Sequence, residues 1–301
     1  MKILVSGSHG LVGSALIKSL QGDSHEVVRL VRYAPHSPSE VEWNPERYSI
    51  ALARIEGFDS VVHLAGESIA EGRWNEAKKR RIRESRIKGT RLLSETLAEL
   101  KQPPKSFLCA SAIGYYGNRG AEILLESSPP GSNFLARVCV EWEQATEEAA
   151  QRGIRVVNTR FGIILASAGG ALAKMLPPFR MGVGGKIGSG QQWMSWISLP
   201  DVINAIKFVL TNEALSGPVN FVGPNPVTNA QFTKTLGKVL SRPTLFPIPA
   251  FGARLAFGEM ADALLLSSQR VEPRVLKERG YQFQYSELEQ ALSHALKSEV
   301  S

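Results

Sequence analysis

A chain of 301 residues can fold as one large domain or as a domain with a smaller lobe, and 43% hydrophobic with 21% charged residues is ordinary for a globular protein. The formal net charge of +7 admits an anionic partner without choosing among a phosphate-bearing cofactor, nucleic acid and a membrane surface. The two cysteines, Cys109 and Cys139, sit in apolar company, which favours buried thiols in a reducing compartment over a disulfide framework.

The first strand is expected over Ile3-Leu4-Val5, starting at Lys2, which leaves no room for a signal or transit peptide. A helix with an apolar face follows over Leu11 to Leu20, then strands over Val27 to Val31 and Ser60 to Leu64. A long helical pattern runs from Trp74 to Leu100, a strand from Ser106 to Ala110, a helix from Asn133 to Arg152 and a strand from Ile154 to Phe161. This alternation predicts an α/β fold: a Rossmann-type, doubly wound parallel sheet with helices on both faces. Beyond Gly162 the alternation fades, with helices expected at Pro200 to Thr211 and Asn229 to Leu240. The expected organisation is a nucleotide-binding domain over 1–165 and a smaller C-terminal substrate lobe over 166–301, interleaved with the last sheet strands. No apolar run reaches about 18 residues, because Ile163 to Leu176 is broken by Ser167, Gly169, Gly170 and Lys174. The expected location is the cytosol, with no membrane partner.

Residues 3 to 13 read I-L-V-S-G-S-H-G-L-V-G, so Gly7, Gly10 and Gly13 follow a strand and open a helix. Glycine is needed where the chain turns sharply, where backbone approaches a pyrophosphate, and where helix and strand pack closely. The helix N-terminus then offers N–H groups and partial positive charge to phosphates, which makes Gly7, Ser8, Gly10, Leu11, Val12 and Gly13 the candidate phosphate loop. In dinucleotide folds a carboxylate near the end of the second strand binds the ribose of NAD. Here that strand ends V-R-L-V-R, and Arg32 stands in its place, which suits the 2′-phosphate of NADP(H); a solvated surface arginine is the alternative. Leu64, Ala65 and Gly66 form a small-residue turn that can run beside the adenine ribose.

The G-x-x-G-x-x-G spacing resembles that of the extended short-chain dehydrogenase/reductase family. Further marks are S-A-I-G-Y-Y-G (Ser111 to Gly117), T-R-F-G-I-I-L (Thr159 to Leu165), W-M-S-W-I-S-L-P-D-V (Trp193 to Val202), G-E-S-I at Gly66, R-W-N at Arg73 and N-F-V-G-P at Asn220. With them the whole chain resembles an atypical NAD-dependent epimerase/dehydratase-like branch, the "epimerase family proteins", including a C-terminal segment from about Leu245 to Leu296. Some members of that branch carry a cell-division label. The resemblance implies a tyrosine acid/base, a lysine four residues later that lowers its pKa and holds the nicotinamide ribose, and a serine that orients the substrate. The helix that should carry the pair reads N-F-L-A-R-V-C-V-E-W-E, with Leu135 and Cys139 in the two positions, and no tyrosine in the chain is followed four residues later by lysine. Counting back from Tyr116 puts Ala112 at the serine position, and Ser111 fits only with a one-residue insertion. Ser111, Tyr115 and Tyr116 stand as catalytic candidates, with packing as the alternative role for the tyrosines.

The segment Arg73 to Arg91 carries eight further lysines and arginines with little acid among them, from Lys78 to Arg91. It reads as a solvated face, or as a source of cofactor contacts through Arg81 and Arg86 pointing across the crevice to the phosphates. Nucleic acid is disfavoured, because no aromatic is interleaved after Trp74 and no nucleic-acid module matches. Gly182 to Gly190 fails the Walker pattern and reads as a mobile loop bordering a substrate cleft that Trp193 and Trp196 help to close. Scattered histidines give no metal spacing, and no nucleophile elbow exists. Two functions follow: an NADP(H)-dependent oxidoreductase or epimerase on a small carbonyl, hydroxyl or sugar-nucleotide substrate, or a non-catalytic NADP(H) sensor acting through protein partners. A monomer and a homodimer are both compatible with the sequence.

Overall fold

Ile3, Leu4 and Val5 are each 0% exposed, the signature of a strand covered on both faces. They lie in β1 (Lys2–Ser6), which is followed by α1 (Leu11–Gly22), β2 (Glu26–Val31), β3 (Glu40–Asn44), β4 (Ser49–Ile50), β5 (Ser60–His63), α2 (Glu76–Glu99) and β6 (Ser106–Ala112). The chain continues through β7 (Ile123–Leu124), α3 (Phe134–Gln144), α4 (Glu147–Gln151), β8 (Arg155–Phe161), β9 (Ile163–Leu165), α5 (Gly170–Arg180), β10 (Trp193–Met194), β11 (Trp196–Ser198), α6 (Leu199–Thr211) and β12 (Gly217–Phe221). The remaining elements are β13 (Val227–Thr228), α7 (Asn229–Leu240), α8 (Ala250–Phe257), β14 (Arg270–Val271), α9 (Arg274–Glu278) and α10 (Leu288–Lys297). The computed structural model describes residues 1–297; residues 298–301, the end of the expected second lobe, lie outside the described residues.

The main sheet has the order β12-β8-β6-β5-β1-β2-β3-β4, parallel throughout except for the antiparallel β3–β4 pair. The chain moves outward from β1 to β2 and β3, then crosses back to place β5 on the other side of β1. That reversal opens a crevice at the carboxyl ends of β1 and β5, where ligands bind in such sheets. Leu16, Leu20, Val202, Ile206 and Val209 from α1 and α6 cover one face. Leu93, Leu97, Trp142 and Ala149 from α2, α3 and α4 cover the other. The doubly wound α/β architecture is therefore present as expected.

β12, from the second half of the chain, completes the sheet edge, while Leu172, Phe179, Trp196, Phe232, Leu236 and Leu292 form a separate apolar cluster. Buried Asp201 ties this lobe down. Its carboxylate accepts the N–H groups of Gln284 at 2.7 Å and Tyr285 at 3.0 Å, and the Ser198 hydroxyl at 2.6 Å. The single helix expected from Asn133 to Arg152 is broken between α3 and α4. The Thr146 N–H and hydroxyl both turn back onto the Glu143 carbonyl, at 3.2 and 2.7 Å, which tightens the last turn and ends it. Among the described residues no helix is long and apolar enough to cross a membrane.

Candidate functional site

The crevice is shaped by backbone that admits no side chains. Gly7 has φ +69°, and a Cβ there would stand 2.7 Å from the Leu64 carbonyl carbon. A Cβ on Gly13 would stand 2.2 Å from the Gly7 oxygen. The glycine loop, the start of α1 and the turn after β5 thus meet at distances only glycine allows. Gly10 caps α1 without any side-chain hydrogen bond, and no acid stands in the first turn. The leading N–H groups of Leu11, Val12 and Gly13 and the positive end of the helix therefore face the crevice without competition. This hollow, which a Cβ would fill, fits a pyrophosphate. Ser8 is buried in the loop, and the Leu11 side chain packs 3.4–3.5 Å from where Cβ atoms on Gly169 and Gly170 would lie, so the second half of the chain reaches over the loop.

On the β2 side, Arg32 follows the strand directly and its side chain is exposed. The next residue, Tyr33, fastens this corner: its hydroxyl donates to Glu40 at 3.0 Å and lies 3.5 Å from a His9 ring nitrogen, while its ring stacks on His36 at 5.3 Å. His9 and Tyr33 escaped the sequence reading, although both flank residues singled out there.

On the β5 side, His63 is fully buried, and burial pushes its pKa down to about 3, so the ring is neutral. Its Nδ1 lies 2.6 Å from the Ser6 hydroxyl, which in turn accepts the Leu64 N–H at 3.2 Å and so fixes the turn of Leu64, Ala65 and Gly66. The basic segment is not a solvated face lacking counter-charge. Lys78 pairs with Glu67 at 2.8 Å, Lys79 with Glu259 at 3.0 Å, Lys88 with Glu84 at 3.2 Å, and Arg83 with Glu141. Most of the balancing acids come from other elements, which a linear reading of the helix does not see. Arg81 is 60% exposed and lies 3.6 Å from Glu67. Arg86 lies beneath Gly66, with its Nη1 donating to the carbonyls of Glu67 and Ile82 at 3.0 Å each.

Ser111, Tyr115 and Tyr116 come together, around a partner that sequence reasoning missed. Arg160 on β8 forms a bidentate pair with Glu143 on α3, both contacts 2.8 Å, in a nearly dry setting. Burial works against the Arg160 charge, but Glu143 and the Tyr116 hydroxyl hold its pKa above the ordinary guanidinium value. The Ser111 hydroxyl donates to the same Glu143 oxygen at 2.6 Å. The Tyr116 hydroxyl accepts from Arg160 at 3.0 Å and donates to Asn220 at 2.6 Å; burial, opposed by Arg160, pushes its pKa up to about 12. Ser111 and Tyr116 are thereby committed to buried partners. Tyr115 is half-buried, with the Arg160 guanidinium 3.5 Å over its ring. The register also separates neighbours on β6, since alternate residues face opposite sides: Ser111 turns to Glu143 and Ala112 does not. Leu135 and Cys139 pack at 3.5 and 3.8 Å from where a Gly114 Cβ would be, and burial pushes the Cys139 thiol up to about 12. Both cysteines are buried and unbridged.

Two expectations for the lobe are corrected. Trp196 is 0% exposed in the lobe's own core, with its indole N–H bonded to the Asn225 carbonyl at 3.0 Å, so it does not close over a substrate. The Gly182 to Gly190 segment is laced down rather than free. Gly188 N–H donates to Ile248 O and Ile248 N–H to Lys186 O, each at 2.8 Å, and Asn229 Oδ1 accepts the Ile187 N–H at 2.8 Å. Trp193 is half-buried under Arg270 at 4.4 Å. The second half of the chain meets the start of α2 through Arg73, which donates to the Leu255 carbonyl at 2.8 Å, and through the Lys79–Glu259 pair.

Removal of the Glu143 carboxylate strands the desolvated Arg160 cation and the Ser111 hydroxyl. Glu143→Ala is expected to lower stability by about 3–5 kcal/mol in urea denaturation, with Glu143→Gln losing less. A loss within about 0.5 kcal/mol, the range of an ordinary surface change, would show that the pair holds nothing together.

Comparison with known proteins places this geometry in a family. The model of the NAD dependent epimerase/dehydratase family matches residues 3–222, and a domain of unknown function, DUF1731, matches 248–295. An epimerase family protein of Mycobacterium bovis is 44% identical over 97% of both chains. Among solved structures, human epimerase family protein SDR39U1 (isoform 2), crystallised with NADPH, superposes with a TM-score of 0.91 at 33% identity, over 99% of both chains. A nucleoside-diphosphate sugar epimerase of Corynebacterium glutamicum gives 0.81 at 38% identity, over 98% of this chain and 58% of its own. The chain belongs to the NAD dependent epimerase/dehydratase family and is an epimerase-like nucleotide-binding protein.

Proposed function

We propose that this chain is an NADP(H)-dependent oxidoreductase or epimerase acting on a small carbonyl, hydroxyl or sugar-nucleotide substrate. The observation that carries the reading is the glycine cradle at the sheet's switch point, with an exposed arginine and no acid directly after β2. The NADPH in the human relative supports the same cofactor here, and the name of the Corynebacterium relative supports the sugar-nucleotide end of the substrate range.

The N–H groups of Ser8, Leu11, Val12 and Gly13 would receive the pyrophosphate, with Gly7 and Gly10 giving it room. Arg32 would grip the 2′-phosphate, and Leu64, Ala65 and Gly66 would line the floor, with Arg81 at the rim. A bound nicotinamide supplies the hydride chemistry, and the protein binds, orients and shields it. The division at residue 165 belongs to this reading: the lobe beyond it supplies the substrate side. Tyr115, the half-buried member of its cluster, is the residue left to move a proton. A second reading, an NADP(H) sensor without turnover, is favoured by one observation: Ser111 and Tyr116 spend their hydroxyls on buried partners.

Arg32→Ala is expected to weaken NADPH binding by about 1.5–3 kcal/mol in calorimetry and to leave NADH unchanged; equal losses would remove the 2′-phosphate assignment. In a substrate screen with NADPH, Tyr115→Phe should slow turnover by roughly 10²-fold or more without altering cofactor affinity. Unchanged turnover would take Tyr115 out of the chemistry. Cofactor binding with no turnover across carbonyls and sugar nucleotides would favour the sensor.

A further inference from the structure

The most exposed apolar side chains of the chain are not scattered. Among the described residues, the large apolar side chains that are half exposed or more are Met181, Val183, Leu245, Phe246, Phe251 and Leu255, at 50–77%. All six come from two stretches that the fold places side by side. The Gly188 N–H donates to the Ile248 carbonyl and the Ile248 N–H to the Lys186 carbonyl, and a Cβ on Gly185 would collide with the Phe246 carbonyl. The helix α8 follows at once, with its Ala250 Cβ 3.8 Å from where a Gly188 Cβ would lie. It reads A-F-G-A-R-L-A-F, apolar on every side but that of Arg254, yet only Ala253 of it is buried. A helix apolar all round is normally covered all round, so α8 lacks a partner.

The size of this face and its charges say what covers it. At roughly 200 Å² for one large side chain fully exposed, the six present on the order of 800 Å². Apolar patches on a monomer reach a few hundred Å², whereas about 800 Å² is what each partner brings to a standard stable interface. The backing is already fixed: the Arg73 guanidinium holds the Leu255 carbonyl at 2.8 Å, so little ordering has to accompany docking. The charge on α8 is balanced rather than one-signed. Arg254, between Phe251 and Leu255, pairs with Asp262 at 3.0 Å, and both side chains are more than half exposed. A cation and an acid side by side on an apolar face are self-complementary under a two-fold axis, which sets each copy's cation against the other's acid.

We propose that this face is the contact between two copies of the chain, a two-fold dimer in which α8 packs against α8 and Arg254 of each copy meets the partner's Asp262. The second half of the chain then carries an assembly surface besides its part in the sheet edge. The contact needs no ligand in the glycine cradle, so the dimer forms with or without a dinucleotide.

The test is sedimentation equilibrium of the full chain, with far-ultraviolet circular dichroism to confirm folding. The wild-type chain is expected to be dimeric at about 10 µM, since interfaces of this size hold at micromolar concentrations or below. Phe251→Ser combined with Leu255→Ser, at two exposed positions, should leave a folded monomer. Arg254→Asp and Asp262→Arg should each weaken self-association about 10-fold or more by setting like charges together across the axis. An equimolar mixture of those two variants should dimerise again, and this arm decides the matter should the serine variant fail to fold. A wild-type chain monomeric at about 100 µM, a dimer indifferent to the changes on α8, or a mixture that stays monomeric would overturn the proposal. So would a monomer that sediments with phosphatidylglycerol vesicles through Phe251 and Leu255, which would give the face to an anionic lipid surface.

Discussion

Everything at the crevice depends on one steric constraint: three stretches of backbone meet where no side chain fits. Gly13 sits over the Gly7 carbonyl, and Gly7 sits against the Leu64–Ala65 peptide. Because α1 starts so close to β1, its uncapped N-terminus is aimed at the switch point of the sheet rather than at bulk water. Because the Gly7 loop rests on the turn after β5, the two walls of the crevice are held at a fixed spacing, and the Ser6–His63 bond beneath them keeps that spacing dry and rigid. A methyl group at either glycine would push the walls apart and remove both the cradle and its electrostatics.

The second organising feature is the buried Glu143–Arg160 pair. It draws the end of β6, the helix α3, the strand β8 and, through Tyr116 and Asn220, the edge strand β12 into one polar network. Such a network specifies one arrangement because every member is costly to leave unpaired. It also stands where the family resemblance implies a proton relay. The helix that would present a tyrosine and a lysine to the crevice presents Leu135 and Cys139, and its polar residue one turn later, Glu143, points into the core. The cation proposed for the cofactor comes from elsewhere: Arg32, exposed directly after β2.

Much of this was legible in the sequence, for identifiable reasons. The glycine loop is local: strand, spacing and helix lie within eleven residues, so their joint geometry follows from the string itself. The parallel sheet and the placement of Arg32 follow from the same periodicity. What could not be read was whatever depends on partners far apart in the chain. The acids that neutralise α2 come from Glu67, Glu141 and Glu259. Trp196 stands in the sequence near the Gly182–Gly190 loop, which suggests a cleft residue, whereas burial against α5, α7 and α10 decides its role. The break at Thr146 needed the back-bonding of its hydroxyl, which competes with the helix in a way that apolar periodicity does not register.

We propose that this crevice is built for a dinucleotide carrying a 2′-phosphate. Its most direct test is a parallel calorimetric titration of the full chain with NADPH and NADH. One site is expected to bind NADPH tightly and NADH at least about tenfold more weakly, the difference expected of one charge-assisted contact to the 2′-phosphate. Equal affinity for the two, or binding of neither, would contradict it.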